Sequence, residues 1–101
     1  MPSREFAFRR ANDSLHRTFV RKDGFESYPF LCECPDGRCT ELFLISLPEY
    51  EEVRRHPGRF IVVAGHHDRF DDVLVVGAED GFQVVERVGW SNQPPLGEEV
   101  A

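Results

Sequence analysis

The cysteines of this chain lie close together. All three, Cys32, Cys34 and Cys39, fall within the segment FLCECPDGRCTELFLIS of a 101-residue sequence. In a strand, alternation would place Cys32 and Cys34 on one face, and the Pro-Asp-Gly-Arg turn would return Cys39 to the same end of a hairpin. Three thiolates at one point would repel each other without a cation between them. The spacing therefore predicts a metal site, with zinc as the first candidate.

Three cysteines leave one position of a tetrahedral zinc site to be filled. His66 is the best candidate, because it follows the strand-like segment RFIVVAG and Gly65 permits a sharp backbone turn before it. His67 is the adjacent rival, whereas His16 and His56 lie in predicted helices and have less reason to point toward the thiols. The predicted metal ligands are Cys32, Cys34, Cys39 and His66.

Three alternative roles for the thiols stay open. Free cysteine is often buried in a core as a small hydrophobe, and Cys34 with Cys39 could form a disulfide or redox pair. An iron–sulfur cluster is the third alternative. Ligation by three cysteines and one histidine resembles the CDGSH type of [2Fe–2S] protein. That family is excluded because twenty-six residues separate Cys39 from His66 here, although the cofactor itself is not.

The order of helical and strand patterns predicts an α+β fold. Apolar residues recur every three or four positions from about residue 4 to residue 22, which predicts an N-terminal amphipathic helix with Asn12 facing water. A β-hairpin carrying the cysteines follows, and its returning strand, CTELFLIS, is predicted to be central because it is apolar on both faces. Ser46 and Glu49 form a capping box that opens a short helix. About three further strands, RFIVVAG, VLVVGA and GFQVVERV, complete a small, mostly antiparallel sheet. The last two are predicted to be joined by a hairpin turn at the sequence EDG, residues 79–81.

The composition predicts one cytoplasmic domain. With 41% hydrophobic and 30% charged residues, we expect residues 1–89 to form a single α+β domain and residues 90–101, which lack periodicity, to be a flexible tail. No apolar run approaches the roughly 20 residues of a membrane span, and the segment MPSREFAFRR lacks the apolar stretch of a secretory signal. Cytosolic thiols stay reduced, which favours metal or redox chemistry over disulfides.

The charge distribution favours a protein partner. The net charge of −6 disfavours binding to nucleic acid or to an anionic membrane. Residues 1–30 carry six basic and four acidic side chains, whereas the remainder carries six and fourteen. A basic helix on an acidic body fits docking to another protein, and nucleic acid is the less favoured partner. The arginines that would have to contact nucleic acid are Arg9, Arg10, Arg17 and Arg21.

No catalytic residue is predicted. Glu33 and Glu41 lie near the cysteines and could be carboxylates that assist the metal ligands or take part in catalysis. Strand alternation turns Glu33 away from the sulfurs, however, so we expect it to face solvent. The His-x-Glu and Pro-Cys-x-x-Cys elements of zinc deaminases are absent. Three arginines around the second helix are expected to lie over the sheet and to complement the C-terminal end of the helix dipole. They are Arg54, Arg55 and Arg59.

The segment FLCECPDGRCTELFLISLPEYEEVRRHPGRFIVVAGH, followed by VLVV and GFQVVERVG, resembles a family of small actinobacterial proteins. The family pattern runs F-x-C-E-C-x4-C-T-E, then L-T-x-x-E-Y-E-x-V-R, then R-F-x-V-x-P-G-H, and ends near G-Y-x-V-V-E-K. The resemblance covers nearly the whole chain except the tail. It implies that the three cysteines and His66 act as one set, favours His66 over His67, and implies no particular activity.

Three departures of this chain from that pattern bear on the predicted structure. Ala64 stands where proline is usual, Ser46 replaces threonine and Phe82 replaces tyrosine. The first change leaves the turn before His66 less rigid, and none removes a predicted ligand.

These patterns predict a small metal-binding domain, with structural zinc held by three cysteines and one histidine, that acts as a binding or regulatory module. Four protein ligands would close the site, and closed zinc sites stabilise folds rather than perform chemistry, so we do not expect an enzyme. One alternative is a thiol-based redox or metal sensor, with iron–sulfur as its variant. The other is a zinc enzyme in which only the cysteines bind the metal and water fills the open position.

Overall fold

The fold is α+β, as predicted from the order of the patterns. The computed structural model describes residues 4–22 and 24–88. Within them, helix α1 is followed by strands β1 and β2, helix α2, strand β3, a short 3₁₀ helix and strands β4 and β5. Their bounds are α1 Arg4–Lys22, β1 Tyr28–Leu31, β2 Leu42–Ile45, α2 Leu47–Arg54, β3 Arg59–Val63, the 3₁₀ helix His66–Arg69, β4 Val73–Glu79 and β5 Phe82–Arg87. The predicted tail, residues 90–101, lies outside the described residues, and the predicted domain bounds stay a prediction.

The five strands form two antiparallel sheets. Strands β1 and β2 pair as a two-stranded sheet, with Tyr28 opposite Ile45 and Leu31 opposite Leu42. The other three strands form a second sheet in the order β3-β5-β4. Strands β4 and β5 are joined by the predicted hairpin turn, where Gly81 has a φ of 91°.

The prediction that the returning strand is central was wrong. Strand β2 pairs only with β1 in the part of the chain that the structure describes. Phe43 and Ile45 are buried, but Leu42 and Leu44 on the opposite face are 55% and 61% exposed. Strand β2 is therefore apolar on both faces although only one of them is buried in the core.

The prediction that Asn12 faces water was also wrong. Asn12 lies on the buried side of α1. Its Nδ2 donates to the Leu31 carbonyl at 2.9 Å, and its Oδ1 accepts from the Leu31 N–H at 2.8 Å. The side-chain amide thus provides hydrogen-bond partners for the Leu31 N–H and carbonyl at the free edge of β1, as a neighbouring strand would.

The three-stranded sheet separates two apolar clusters. Because side chains alternate along a strand, Ile61 of β3 points to one cluster while Phe60 and Val62 point to the other. The first, which we call the aromatic cluster, contains Tyr28, Phe30, Phe43, Ile45, Tyr50, Val53, Ile61, Phe82 and Val84. The second, the cysteine cluster, contains Cys32, Cys34, Cys39, Phe60, Val62, Phe70 and Val85.

None of the described helices is long and apolar enough to span a lipid bilayer.

Helix α2 begins with the predicted capping box. The Ser46 hydroxyl accepts from the Glu49 N–H at 3.3 Å, and the Glu49 carboxylate accepts from the Ser46 N–H at 3.4 Å. These bonds satisfy backbone donors that the first turn of a helix leaves without partners. They place the helix so that Tyr50 stacks on Phe30, with ring centroids 4.4 Å apart.

Ser46→Ala should lower the free energy of unfolding by about 1 kcal/mol, because the helix loses its N-terminal cap. Urea denaturation of the full chain measures the loss. Ser14→Ala, a change at an exposed position within α1, is the control and should alter stability by under about 0.5 kcal/mol. Equal losses in the two variants would contradict a specific role for the cap.

Candidate metal centre

The structure brings the four predicted ligands together. Cys32 and Cys34 lie directly after β1, Cys39 lies shortly before β2, and His66 opens the 3₁₀ helix after β3. One donor atom from each residue lies within 4.8 Å of the others, and all four residues are buried. Residues thirty-four positions apart in sequence thus share one small volume. The grouping has the donor types and size that could hold one metal ion.

The distances within the cluster fit a tetrahedral zinc ion. The Cys32 Sγ lies 3.3 Å from the Nδ1 of His66, and the Cys39 Sγ lies 3.7 Å from the same atom. Zinc bonds of about 2.3 Å to sulfur and about 2.0–2.1 Å to nitrogen, arranged tetrahedrally, separate neighbouring donors by roughly 3.6–3.8 Å. The four side chains therefore need only small rotations to surround such an ion.

His66, and not His67, belongs to the cluster. Gly65 has a φ of 93°, a backbone conformation that glycine adopts without strain, and it turns the chain sharply after β3. The Nδ1 of His66 faces the thiols, whereas the Nδ1 of His67 lies 2.9 Å from Oε1 of Gln83. Gln83 also accepts from the Gly65 N–H at 2.9 Å, which holds the turn.

Glu41 contacts the opposite side of the His66 ring. Its Oε2 lies 3.3 Å from Nε2 of His66, on the far side from the sulfurs. A carboxylate at this position favours a proton on Nε2 and leaves Nδ1 free to bind a metal. The sequence suggested Glu41 as an assisting carboxylate only by its nearness to Cys39, and the structure places it against the histidine.

The cysteines lie in the connection between the hairpin strands, not in the strands themselves. Strand β1 ends at Leu31, so the predicted alternation does not extend to Cys34. The Cys39 N–H donates to the Asp36 carbonyl at 3.1 Å, which closes the predicted turn. All three thiols are free.

The connection attaches to the free edge of β3. The Glu33 N–H donates to the Ile61 carbonyl at 3.0 Å, and the Ile61 N–H donates to Oε1 of Glu33 at 2.8 Å. Two residues along, the Val63 N–H donates to the Cys32 Sγ at 3.2 Å. The Cys32 thiol is therefore positioned by the backbone of a sheet strand, and it has a hydrogen-bond donor suited to a thiolate.

The prediction that Glu33 faces solvent was wrong, because the strand ends before it and alternation no longer applies. Its side chain is completely buried, where it accepts from Asn12 Nδ2 at 2.7 Å and pairs with the guanidinium of Arg54. Burial raises the pKa of Glu33, and Arg54, Asn12 and the Ile61 N–H limit that rise. For Arg54, burial acts to lower the pKa, but the Glu33 carboxylate outweighs it and raises the value. Sequence reasoning missed this pair, because Arg54 was expected to lie over the sheet and to complement the C-terminal end of the helix dipole.

Two arginines surround the cluster with positive charge. Arg4, in the first turn of α1, donates to the carbonyls of all three cysteines, with its Nη2 2.6 Å from the Cys39 carbonyl. Arg69 Nη1 lies 3.6 Å from the Cys34 Sγ. A zinc ion with three thiolates and a neutral histidine carries a net charge of −1, which these arginines would offset. No local sequence signal pointed to Arg4, because its partners are twenty-eight or more residues away.

Without a cation, the environment acts differently on the thiols. Burial raises the pKa of Cys32 to about 12. Burial also acts to raise the pKa of Cys34, but hydrogen bonds from the Asp36 backbone and the Arg69 side chain outweigh it and lower the value. A divalent cation among the sulfurs would stabilise all the thiolates, since metal ligands bind in their deprotonated form.

Comparison of the chain with protein-family models, with curated proteins and with solved structures found no match. The geometry of the cluster is therefore the basis for inferring a function.

Arg54→Met should lower the free energy of unfolding by about 3–5 kcal/mol, because it leaves the Glu33 carboxylate buried without its charged partner. Chemical denaturation measures this loss. Arg59→Met is the matched control, since Arg59 pairs with Glu86 at 2.8 Å in a more exposed setting. It should cost under about 1 kcal/mol. Similar losses in the two variants would show that the buried ion pair contributes no more to stability than the exposed one.

Proposed function

We propose that this protein is a small metal-binding domain in which one structural zinc ion, held by Cys32, Cys34, Cys39 and His66, stabilises a binding or regulatory module. The observation that supports this most is the placement of four buried donor atoms within 4.8 Å of one another. Three thiols and one imidazole are a common ligand set for structural zinc. The resemblance to the actinobacterial family supports the same four residues.

A closed structural site fits the burial of the donors better than a catalytic one. Catalytic zinc sites keep one position open for water or substrate. Here three cysteines and His66 supply four ligands, and each is buried. The enzyme alternative, in which His66 does not bind and water takes its place, requires the Nδ1 of His66 to lie 3.3 Å from a thiol for another reason.

A single ion fits the cluster better than an iron–sulfur cluster. A two-iron cluster divides its four protein ligands between two irons joined by sulfides, so the ligands stand further apart than around one ion. The four donor atoms all lie within 4.8 Å of one another, which favours one ion. A reducing compartment such as the cytoplasm keeps the thiols available to it.

Purification without an affinity metal column, followed by elemental analysis and native mass spectrometry, should find one zinc ion per chain. His66→Ala should weaken zinc binding by more than about 100-fold. Loss of a residue that only hydrogen-bonds to a metal ligand costs roughly 10–100-fold, and loss of a ligand should cost more. His67→Ala is the matched control and should bind as the parent does. Competition with a zinc chelator measures both affinities.

Three outcomes would contradict the proposal in different ways. Zinc held as tightly by His66→Ala as by the parent would mean that His66 is no ligand, which favours the open site of an enzyme. Iron with visible absorbance would favour a cluster-based sensor. No metal, with all three thiols titrating freely, would leave only buried cysteines.

Glu41→Gln should weaken zinc binding by about tenfold, because the amide no longer favours the proton on Nε2 of His66. The measurement is the same chelator competition. Glu26→Gln, at an exposed position between α1 and β1, should leave zinc affinity unchanged. An affinity equal to that of the parent in Glu41→Gln would mean that the contact between Glu41 and His66 does not orient the ring.

A further inference from the structure

The two outer edges of the three-stranded sheet differ. The edge of β3 is closed because the Ile61 and Val63 N–H groups donate to the cysteine connection. Within residues 4–22 and 24–88, no strand pairs with the outer edge of β4. Free strand edges are usually protected from pairing by charged side chains, above all lysine, by proline or by a bulge. Strand β4, with the sequence VLVVGAE, has no lysine or proline, and its protection is limited to a bulge between Val75 and Gly77 and the terminal Glu79.

Beside β4 lies an apolar cleft of about 180 Å³. Ile45, Val53, Phe82 and Val84 form its floor, and all four belong to the aromatic cluster. Pockets for small molecules usually measure roughly 300–1,000 Å³. The cleft is therefore too small for a typical cofactor and is of a size for one large apolar side chain.

An exposed leucine extends this apolar surface along β4. Leu74 lies opposite Glu86, and Gly77 lies opposite Val84, so Leu74 and Gly77 share the face of the sheet that borders the cleft. Leu74 is 61% exposed. Strand β4 thus presents an apolar side chain, the cleft and a free backbone edge within one stretch.

The rim of the cleft is acidic. Glu49, Glu52 and Glu79 line it, and no lysine or arginine is among the described residues that do. Glu52 also contacts Arg55 at 3.6 Å, but both side chains are largely exposed, so water screens that pair. The rim favours a ligand with basic groups on either side of an apolar one.

The acidic rim distinguishes three candidate occupants of the cleft by their charge. The C-terminal segment 89–101 of the same chain contains two glutamates and no lysine or arginine, so the acidic rim disfavours it. A second copy adding its own β4 would bring Asp71 and Asp72 of one copy toward Glu79 and Asp80 of the other. An extended segment of another protein that combines apolar and basic residues has neither conflict.

We propose that the cleft and the outer edge of β4 are a docking site for an extended segment of a partner protein. One large apolar side chain of that segment fills the cleft, lysine or arginine on either side faces Glu49, Glu52 and Glu79, and its backbone adds to β4 as a further strand. The site lies against the aromatic cluster, not the cysteine cluster, so it is independent of the proposed zinc ion.

The test is selection of short random peptides displayed on phage against the full chain, followed by fluorescence anisotropy with the enriched peptides. We expect enrichment of sequences with a large apolar residue flanked by lysine or arginine. Their affinity should fall about tenfold or more between about 50 mM and about 300 mM salt. Amide shifts in ¹⁵N spectra should map to residues 73–79 and to the C-terminal half of α2.

Glu52→Lys combined with Glu79→Lys should weaken binding of the enriched peptides by about tenfold or more, because the rim changes sign. Glu26→Lys combined with Glu51→Lys makes the same change in net charge away from the cleft and should bind as the parent does. Leu74→Ser, a change at an exposed position, should also weaken binding and removes no charge. Zinc content should be the same in every variant, so this test is separate from that of the metal site.

Any of four results would overturn the proposal. These are no enrichment, enriched peptides without basic residues, equal effects of the two charge-reversed pairs, and amide shifts that map away from β4. Two further results would identify another occupant instead. Binding that appears only after removal of residues 90–101 would assign the site to that segment, and a dimer in sedimentation that Leu74→Ser dissociates would assign it to a second copy.

Discussion

The buried carboxylate of Glu33 joins four parts of the molecule at one point. It lies between Cys32 and Cys34 in the connection after β1, and it accepts hydrogen bonds from Asn12 of α1 and from the Ile61 N–H of β3. The guanidinium of Arg54, at the end of α2, completes its partners. Because a buried carboxylate is costly unless all its partners are present, these elements must take their native places together.

The candidate metal centre is joined to the two sheets by hydrogen bonds at strand edges. Polar side chains replace neighbouring strands at two edges: the amide of Asn12 at β1, and the carboxylate of Glu33 with the Cys32 thiol at β3. Backbone groups that would otherwise be buried without partners are thereby satisfied. The position of Cys32 depends on the strand that donates to it. The protein fold itself therefore determines where this thiol lies in the cluster.

The candidate metal centre and the cleft, on opposite faces of the three-stranded sheet, have different charged neighbours. Arg4 and Arg69 contact the cysteine connection, where three thiolates around one zinc ion would leave an excess negative charge. The cleft beside β4 has an acidic rim, and no cysteine is among the described residues that line it. A partner bound there would face the aromatic cluster, and the sheet would keep it apart from the predicted metal ligands. The proposed stabilisation by an ion and the proposed recognition of a partner would therefore be separate properties of one small domain.

What the sequence by itself determined is local. The capping box at Ser46, the turn at Gly81 and the close spacing of the three cysteines each depend on residues a few positions apart, and each was predicted. The Gly65–His66 turn is equally local, which is why His66 was the best candidate for the fourth ligand, with His67 as its rival. The α+β class followed from the order of these elements.

Only the tertiary structure decided the places of Asn12, Glu33 and Arg54. Periodicity assigns a polar residue to solvent unless its partner is known, and these partners are distant. Asn12 binds Leu31 nineteen residues away, and Glu33 binds Arg54 twenty-one residues away. A hydrogen bond compensates burial only when both groups have been brought together by folding, and that meeting is a property of the packed chain, not of any segment within it.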